Sequence, residues 1–81
     1  MNYIKLRILS TLEDNPYERL TTDDLARAIN ADPEIFSMTM AELEIAGLIE
    51  HSGMPYKWEL TGAGAELIQK ADSIRALIGK R

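Results

Sequence analysis

The stretch from Ala31 to Gly64 constrains the fold of this chain more strongly than any other part of its 81 residues. Asp32 followed by Pro33 is a helix start signal, because an aspartate can accept hydrogen bonds from free backbone N–H groups and proline suits the first helical position. Gly47 is the expected C-terminal cap, so this helix should end near residue 46. Two short runs of strand character then flank the turn-forming residues 52–55. The stretch therefore predicts a helix, a hairpin and the start of another helix.

Two further helices are predicted before this stretch. Apolar residues at four-residue spacing predict helix 1 over about residues 3–14. Thr21 and Asp24 stand three residues apart in a capping-box arrangement, which predicts helix 2 over about residues 23–30. Residues 19–21, between the two helices, are a candidate for a short edge strand.

The last helix is expected to begin near Thr61 or Gly62. Four of its apolar residues share one stripe with coiled-coil-like spacing, namely Leu67, Ala71, Ile74 and Ile78. The stripe either packs against helix 1 within one chain or forms a homodimer interface across a twofold axis, and its spacing suits both arrangements equally. The predicted fold class is mainly α with a small β-hairpin, in a single domain over residues 1–81.

The composition is that of an ordinary globular domain. Hydrophobic residues make up 46% of the chain and charged residues 27%, and no run approaches the roughly 18 uninterrupted apolar residues that a membrane span needs. We therefore expect no membrane partner. The N-terminus lacks the cleavage site of a signal peptide, and the chain has no cysteine, which is consistent with a cytoplasmic location.

Two motifs connect this order of elements to a known family. The segment Met40–Ile49, MAELEIAGLI, resembles the L-x-x-L-E-x-A-G-L-I ending of the recognition helix in MarR-like and PadR-like regulators. The segment Trp58–Gly64, WELTGAG, is similar to the L-T-x-x-G that leads from their second wing strand into the next helix. The resemblance covers about residues 20–68. It implies a winged helix-turn-helix fold with a three-helix core, a wing hairpin and a C-terminal helix, and it implies a DNA-binding transcriptional regulator that uses helix 3 and the wing.

Helix 3 is predicted to have one buried face and one exposed face. Phe36, Met40 and Leu43 recur with helical spacing and should point into the core. The 100° step of a helix then turns the following residues outward: Glu34, Met38, Ala41 and Ile45, flanked by Ser37 and Glu42. This outward face contains no basic residue, and residues 20–50 hold one arginine against seven carboxylates, a net charge of −6.

Two kinds of partner are compatible with these residues. The first hypothesis is double-stranded DNA, with the candidate contacts Arg27, Ser37, Thr39, His51 and Lys57. The alternative is a protein partner, because an exposed apolar strip with a charged rim is typical of a protein-binding surface. The candidate residues of that alternative surface are Glu34, Met38, Ala41, Glu42 and Ile45.

The sequence predicts that the chain is not an enzyme and needs no metal or cofactor. It has one histidine, no cysteine and no paired histidines at metal-ligand spacing. The glycines near residue 62 follow a hairpin strand and not the parallel strand that precedes a nucleotide-binding loop. The carboxylates match helix starts and solvated faces.

Overall fold

The computed structural model describes residues 3–16 and 18–79, and it confirms a mainly helical fold with a small antiparallel sheet. The elements in chain order are α1 (Tyr3–Glu13), β1 (Leu20–Thr21), α2 (Thr22–Ile29), α3 (Pro33–Ile45), β2 (Ile49–Ser52), β3 (Lys57–Leu60) and α4 (Gly62–Gly79). The predicted helix boundaries agree with these bounds to within one or two residues. In the part of the chain that the structure describes, no helix combines the length and the apolar content needed to cross a membrane.

Helix α1 lies at the centre of the core. Ile8, Leu9 and Leu12 are buried, and the helix packs against α2, α3, α4 and β3. Contact on several sides explains why its apolar residues cover more than one face. The guanidinium of Arg7 also donates hydrogen bonds to the carbonyls of Ala28 and Ile29, at 3.0 and 2.9 Å. These carbonyls at the end of α2 lack partners within their own helix, so Arg7 links the two helices through that terminus.

The predicted start signals of α2 and α3 are both confirmed. Thr21 Oγ1 accepts from the Asp24 N–H and Asp24 Oδ2 accepts from the Thr21 N–H, each at 3.1 Å. The backbone N–H of Thr21, followed by its hydroxyl, lowers the pKa of the Asp24 carboxyl below its ordinary value. At the start of α3, Asp32 Oδ1 accepts from the N–H groups of Glu34 and Ile35, at 2.9 and 3.3 Å. Side chains thus satisfy the first free donors of both helices.

The three strands form one antiparallel sheet in the order β1-β3-β2. The candidate edge strand is therefore confirmed at Leu20–Thr21, where Leu20 pairs with Trp58 and Thr21 pairs with Lys57. Trp58 is buried, and its Nε1–H donates to Thr22 Oγ1 at 2.8 Å. This hydrogen bond spans 36 residues of sequence and links the wing directly to the start of α2.

The end of α3, the wing and the start of α4 meet at one junction. Gly47 ends α3 with φ = +76°, a left-handed conformation that glycine adopts without strain. Thr61 then bonds twice to the chain that follows α3: its N–H donates to Leu48 O at 3.1 Å and its hydroxyl donates to Gly47 O at 2.6 Å. The Gly64 N–H donates to the same threonine oxygen at 3.1 Å. The L-T-x-x-G motif therefore joins the start of α4 to the chain that follows α3.

The side of helix α4 that faces the core is centred on Ile68 and not on the stripe that its apolar spacing predicts. Ile68 is fully buried, although it lies off that stripe, and Leu67 and Ala71 pack against the core beside it. Ile74 and Ile78 are exposed. Helix α4 has 18 residues and α1 has 11, so the last turns of α4 extend beyond the helix that covers its first half. Packing within the monomer therefore explains the first half of the stripe, and the residues that the structure describes leave the second half uncovered.

We predict that Gly64→Ala destabilises the protein by about 2 kcal/mol or more, because overpacking a tight site forces the backbone to move. A Cβ atom at Gly64 would lie 2.0 Å from the Leu48 carbonyl oxygen, closer than any real contact. The matched control is Gly62→Ala, where a Cβ would meet no atom within 4 Å. That control should leave the free energy of unfolding in urea unchanged or raise it slightly. Equal stability of the two variants would contradict a close approach at Gly64.

Candidate nucleic-acid interface

The outward face of α3 is exposed as its helical spacing predicts. Met38 is 59% exposed and Ile45 is 87% exposed, and Glu34 and Ala41 are exposed beside them. Phe36, Met40 and Leu43 are buried on the opposite side, which confirms the predicted division of the helix. Ile35 is also exposed, although the pattern did not single it out. The face therefore contains three large apolar side chains that the described part of the chain does not cover.

The prediction that Thr39 contacts DNA is wrong. Its side chain is 4% exposed, and its hydroxyl donates to the Ile35 carbonyl at 2.7 Å. Thr39 lies one helical turn beyond Phe36 and next to Met40, on the buried side of α3. Threonine can satisfy its hydroxyl on the preceding turn of its own helix, so a polar residue is accommodated there without an outside partner.

One ion pair neutralises part of the acidic charge on α3, and a second carboxylate of the helix lies close to a histidine. Glu42 Oε2 lies 2.7 Å from Lys5 Nζ of α1. Glu44 Oε2 lies 2.6 Å from His51 Nδ1 of β2. Within residues 3–16 and 18–79, Glu34 forms no ion pair. The negative potential of the outward face is therefore concentrated at the N-terminal end of α3.

His51 is held by its neighbours on the wing. Its ring centroid lies 4.1 Å from that of Tyr56 and 4.8 Å from that of Trp58. Nδ1 is shielded from solvent, and although it lies close to Glu44 it is not oriented for a well-formed hydrogen bond. Only the other edge of the ring is available to a ligand. That His51 contacts DNA stays a prediction. Its packing between the wing and α3 also gives it a structural role.

Arg27 and Ser37 come together at a concave surface between α2 and α3. Both side chains are exposed and line this surface with Asn30 and Pro33. Arg27 Nη2 lies 3.2 Å from Asp24 Oδ1, in an exposed ion pair one turn apart. Such a surface pair contributes little stability and is easily exchanged for another anion. Two of the predicted DNA contacts thus share one surface.

Lys57 is an exposed cation of the wing. It lies on the central strand between Thr21 and Ser52, its side chain is exposed, and it has no ion-pair partner among the residues that the structure describes. Buried Trp58 follows it directly, so alternation along the strand turns Lys57 toward the outer face of the sheet. The predicted placement of Lys57 at the wing is therefore confirmed, while its role stays a prediction.

Arg19 is a wing cation that the sequence did not single out. Its guanidinium lies 3.3 Å from Glu59 Oε2 and donates to Ser52 Oγ at 3.0 Å, so it crosses the outer face of the sheet. The pairing of β1 with β3 brings it there from 33 residues away. A two-residue strand is too short to predict such a pairing from sequence pattern alone. The described residues contain no group of His, Asp and Glu that could hold a metal ion.

A three-helix core with an antiparallel wing hairpin, whose third helix presents an exposed face, defines a winged helix-turn-helix domain. The family model of the DprA winged helix domain matches residues 4–53 of this sequence. The chain therefore belongs to the DprA winged helix domain family. No curated protein matches the chain.

Several solved structures have the same fold. A variant of MepR from S. aureus superposes with a TM-score of 0.90 at 22% identity, covering 96% of this chain and 60% of MepR. The MepR–DNA complex from S. aureus gives a TM-score of 0.86 at 21% identity, covering 99% of this chain and 68% of MepR. A MarR family transcription regulator gives 0.78 at 25% identity, covering 96% of this chain and 55% of that protein. The chain thus spans about 60% of the length of the first of these neighbours, and the resemblance to MarR-like regulators is confirmed for the fold.

We predict that Met38→Ala changes the free energy of unfolding by less than about 0.5 kcal/mol, because an exposed side chain contributes little to stability. The matched variant Met40→Ala, two residues further along the same helix, should lose about 2 kcal/mol or more because that side chain is buried in the core. Urea unfolding followed by circular dichroism compares the two variants. A loss at Met38 as large as that at Met40 would mean that α3 is rotated from the orientation described.

Proposed function

We propose that this domain is a DNA-binding transcriptional regulator that places α3 in the major groove and the wing against the phosphate backbone. The main support is the superposition with a MepR–DNA complex over 99% of this chain at a TM-score of 0.86. In a helix-turn-helix domain the second helix of the motif meets base edges, and neighbouring elements meet phosphates. The exposed face of α3 and the exposed cations beside it suit that division of roles.

Lys57, Arg27 and Arg19 are the proposed phosphate contacts. Lys57 needs to break no ion pair that the structure describes, whereas Arg27 and Arg19 would exchange Asp24 and Glu59 for phosphate. Ser37 is the proposed polar contact on α3, because a hydroxyl can donate to or accept from either kind of base. The exposed edge of His51 supplies one further contact from the wing. Thr39 has no part in this surface because it is buried.

The small number of cations sets the strength of binding. Each neutralised phosphate contributes a slope of about −0.9 to the dependence of log K on log salt concentration. Three or four contacts therefore give a slope of roughly −3 per domain, and Glu34 opposes binding through like charge. We expect weak binding by a single domain, with a measurable affinity near 50 mM salt that is largely lost by about 200 mM.

We predict that Lys57→Gln weakens binding to duplex DNA and reduces the salt slope by about 0.9, because one phosphate contact is removed. Lys70→Gln is the matched control, since Lys70 is likewise exposed and without a partner in the described residues but lies on α4. Fluorescence anisotropy with a mixed-sequence duplex at several salt concentrations measures both affinity and slope. Equal effects of the two substitutions would contradict a role for the wing, and an absence of any duplex binding near 50 mM salt would overturn the DNA function.

We also propose that two copies associate through the last turns of α4. Ile74, Leu77 and Ile78 are exposed on these turns, and they continue the helix whose first half packs in the core. An uncovered apolar helix end is suited to packing against the same end of a second copy, since a twofold interface is self-complementary. The stripe Leu67, Ala71, Ile74 and Ile78 thus serves two purposes, the first pair within the monomer and the second pair between copies.

We predict that the double variant Ile74→Gln/Ile78→Gln is monomeric at concentrations where the unaltered chain is dimeric. The substitutions remove apolar contacts between copies and leave the monomer core intact, because both side chains are exposed. Sedimentation equilibrium measures the change in mass, and far-ultraviolet circular dichroism shows that the fold persists. Met38→Ala is the control that should remain dimeric. An unaltered chain that is monomeric at all accessible concentrations would contradict the proposal.

The alternative function is a protein-interaction module, favoured by the exposure of Ile45 at 87%. Ile45 lies at the C-terminal end of α3, whereas base contacts in this fold come from the N-terminal part of the helix. Together with Glu34, Met38, Ala41 and Glu42 it would give a partner an apolar strip with an acidic rim. The anisotropy titration separates the two functions, since a module of this kind binds no duplex at low salt.

A further inference from the structure

Helix α3 lacks the side chains that read purines by paired hydrogen bonds. Its sequence, PEIFSMTMAELEI, contains no Arg, Lys, Asn or Gln. In the major groove, Arg and Lys make bidentate contacts with guanine, and Asn and Gln make them with adenine. Glu34 cannot replace them on guanine, because a carboxylate and the N7 and O6 atoms of guanine are all acceptors. Hydrogen bonds from α3 to base edges are therefore limited to single contacts by residues such as Ser37 and Glu34, and further discrimination between bases has to come from another kind of contact.

Apart from Glu34, Ser37, Glu42 and Glu44, the exposed side chains of α3 are apolar. Ile35, Met38 and Ala41 are exposed on its first three turns. Among the four ordinary bases, thymine alone presents an apolar group in the major groove, the C5-methyl group. A cytosine methylated at C5 presents the same group at the same position. Apolar side chains in the groove gain contact energy at such a methyl group and at no other base edge.

We infer that α3 reads C5-methyl groups of pyrimidines through Met38, with Ala41 one turn beyond it. This inference rests on the proposed DNA-binding function and specifies the class of base that the helix selects. Met38 is 59% exposed, the carboxylate of Glu42 pairs with Lys5, and that of Glu44 lies beside His51. The unbranched, polarisable side chain of methionine adapts to a methyl group whose position varies with sequence.

The expected size of the effect follows from the area of a methyl group. Burying one methyl or methylene group contributes about 0.8 kcal/mol, which corresponds to about fourfold in affinity. Phosphate contacts supply most of the total affinity, and they do not change when a methyl group is removed from a base. Recognition of the methyl group should therefore appear as a ratio of the affinities for two duplexes that are otherwise identical.

The test compares alternating adenine–thymine and adenine–deoxyuridine duplexes, which differ only in the C5-methyl group. A second pair compares alternating guanine–cytosine with guanine–5-methylcytosine. Affinities are measured by fluorescence anisotropy near 50 mM salt for the unaltered chain, for Met38→Ala, and for the control Ile45→Ala on the last turn of α3. Both substitutions replace exposed side chains, so the folded state is kept.

We expect the thymine duplex to bind about fourfold or more tightly than its deoxyuridine counterpart, a ratio that Met38→Ala lowers toward one and Ile45→Ala leaves unchanged. A similar gain on 5-methylcytosine identifies the methyl group itself as the ligand, and a gain on thymine alone narrows the selection to that base. Equal binding within both pairs by the unaltered chain overturns the inference and leaves the DNA function standing. A ratio that Met38→Ala does not change also overturns it. Failure to bind any of the four duplexes overturns the proposed function instead.

Discussion

The fold depends on the close approach of the Leu48 carbonyl to the first turn of α4. That carbonyl accepts from the Thr61 N–H at 3.1 Å and lies where a side chain at Gly64 would otherwise stand. The contact joins the exit of α3 to the exit of the wing, so the two elements that would meet DNA are fixed to the same point. Its requirement for a glycine is steric: the helix can approach the carbonyl only where no Cβ intervenes. The position of α3 relative to the wing is thus set by backbone contacts, in which the exposed side chains of the two elements take no part.

Most of the lysines and arginines that the structure describes already form contacts within the folded chain, so few are left for a DNA-binding surface. Arg7 caps the end of α2, Lys5 pairs with Glu42 of α3, and Arg19 crosses the sheet to Glu59. Arg27 and Arg75 each pair with an aspartate one turn away. Among the lysines and arginines of the described residues, Lys57 and Lys70 have no such partner. Among the described residues, the unpaired positive charge therefore lies on the wing and on α4, and α3 carries none.

The inward half of this structure could be predicted from sequence because it follows from local rules. Helix caps, the glycine exit and the periodicity of Phe36, Met40 and Leu43 each depend on residues a few positions apart. Long-range pairing could not be predicted in the same way. Arg19 reaches the wing through a two-residue strand, and Ile68 enters the core because α4 rotates to seat Gly64 on Leu48. The prediction for Thr39 fails for a local reason, since residue type alone does not show that its hydroxyl bonds the preceding turn of its own helix. The outward face of α3 was predicted correctly, but its partner depends on chemistry outside the chain.

If the domain binds DNA as proposed, its exposed surfaces depend on one another energetically. An α3 face with apolar and acidic side chains would distinguish bases but add no electrostatic attraction, so affinity would have to come from the cations beside it. Under that function, Lys57 and Arg19 at the wing and Arg27 on α2 would supply few phosphate contacts in one copy. Association through α4 would double that number, and it would turn the second wing contact into an intramolecular event with a high effective concentration. Under the proposed function, the exposed end of α4 and the small number of cations are therefore linked, because selective reading by an acidic helix would become effective only when two domains bind together.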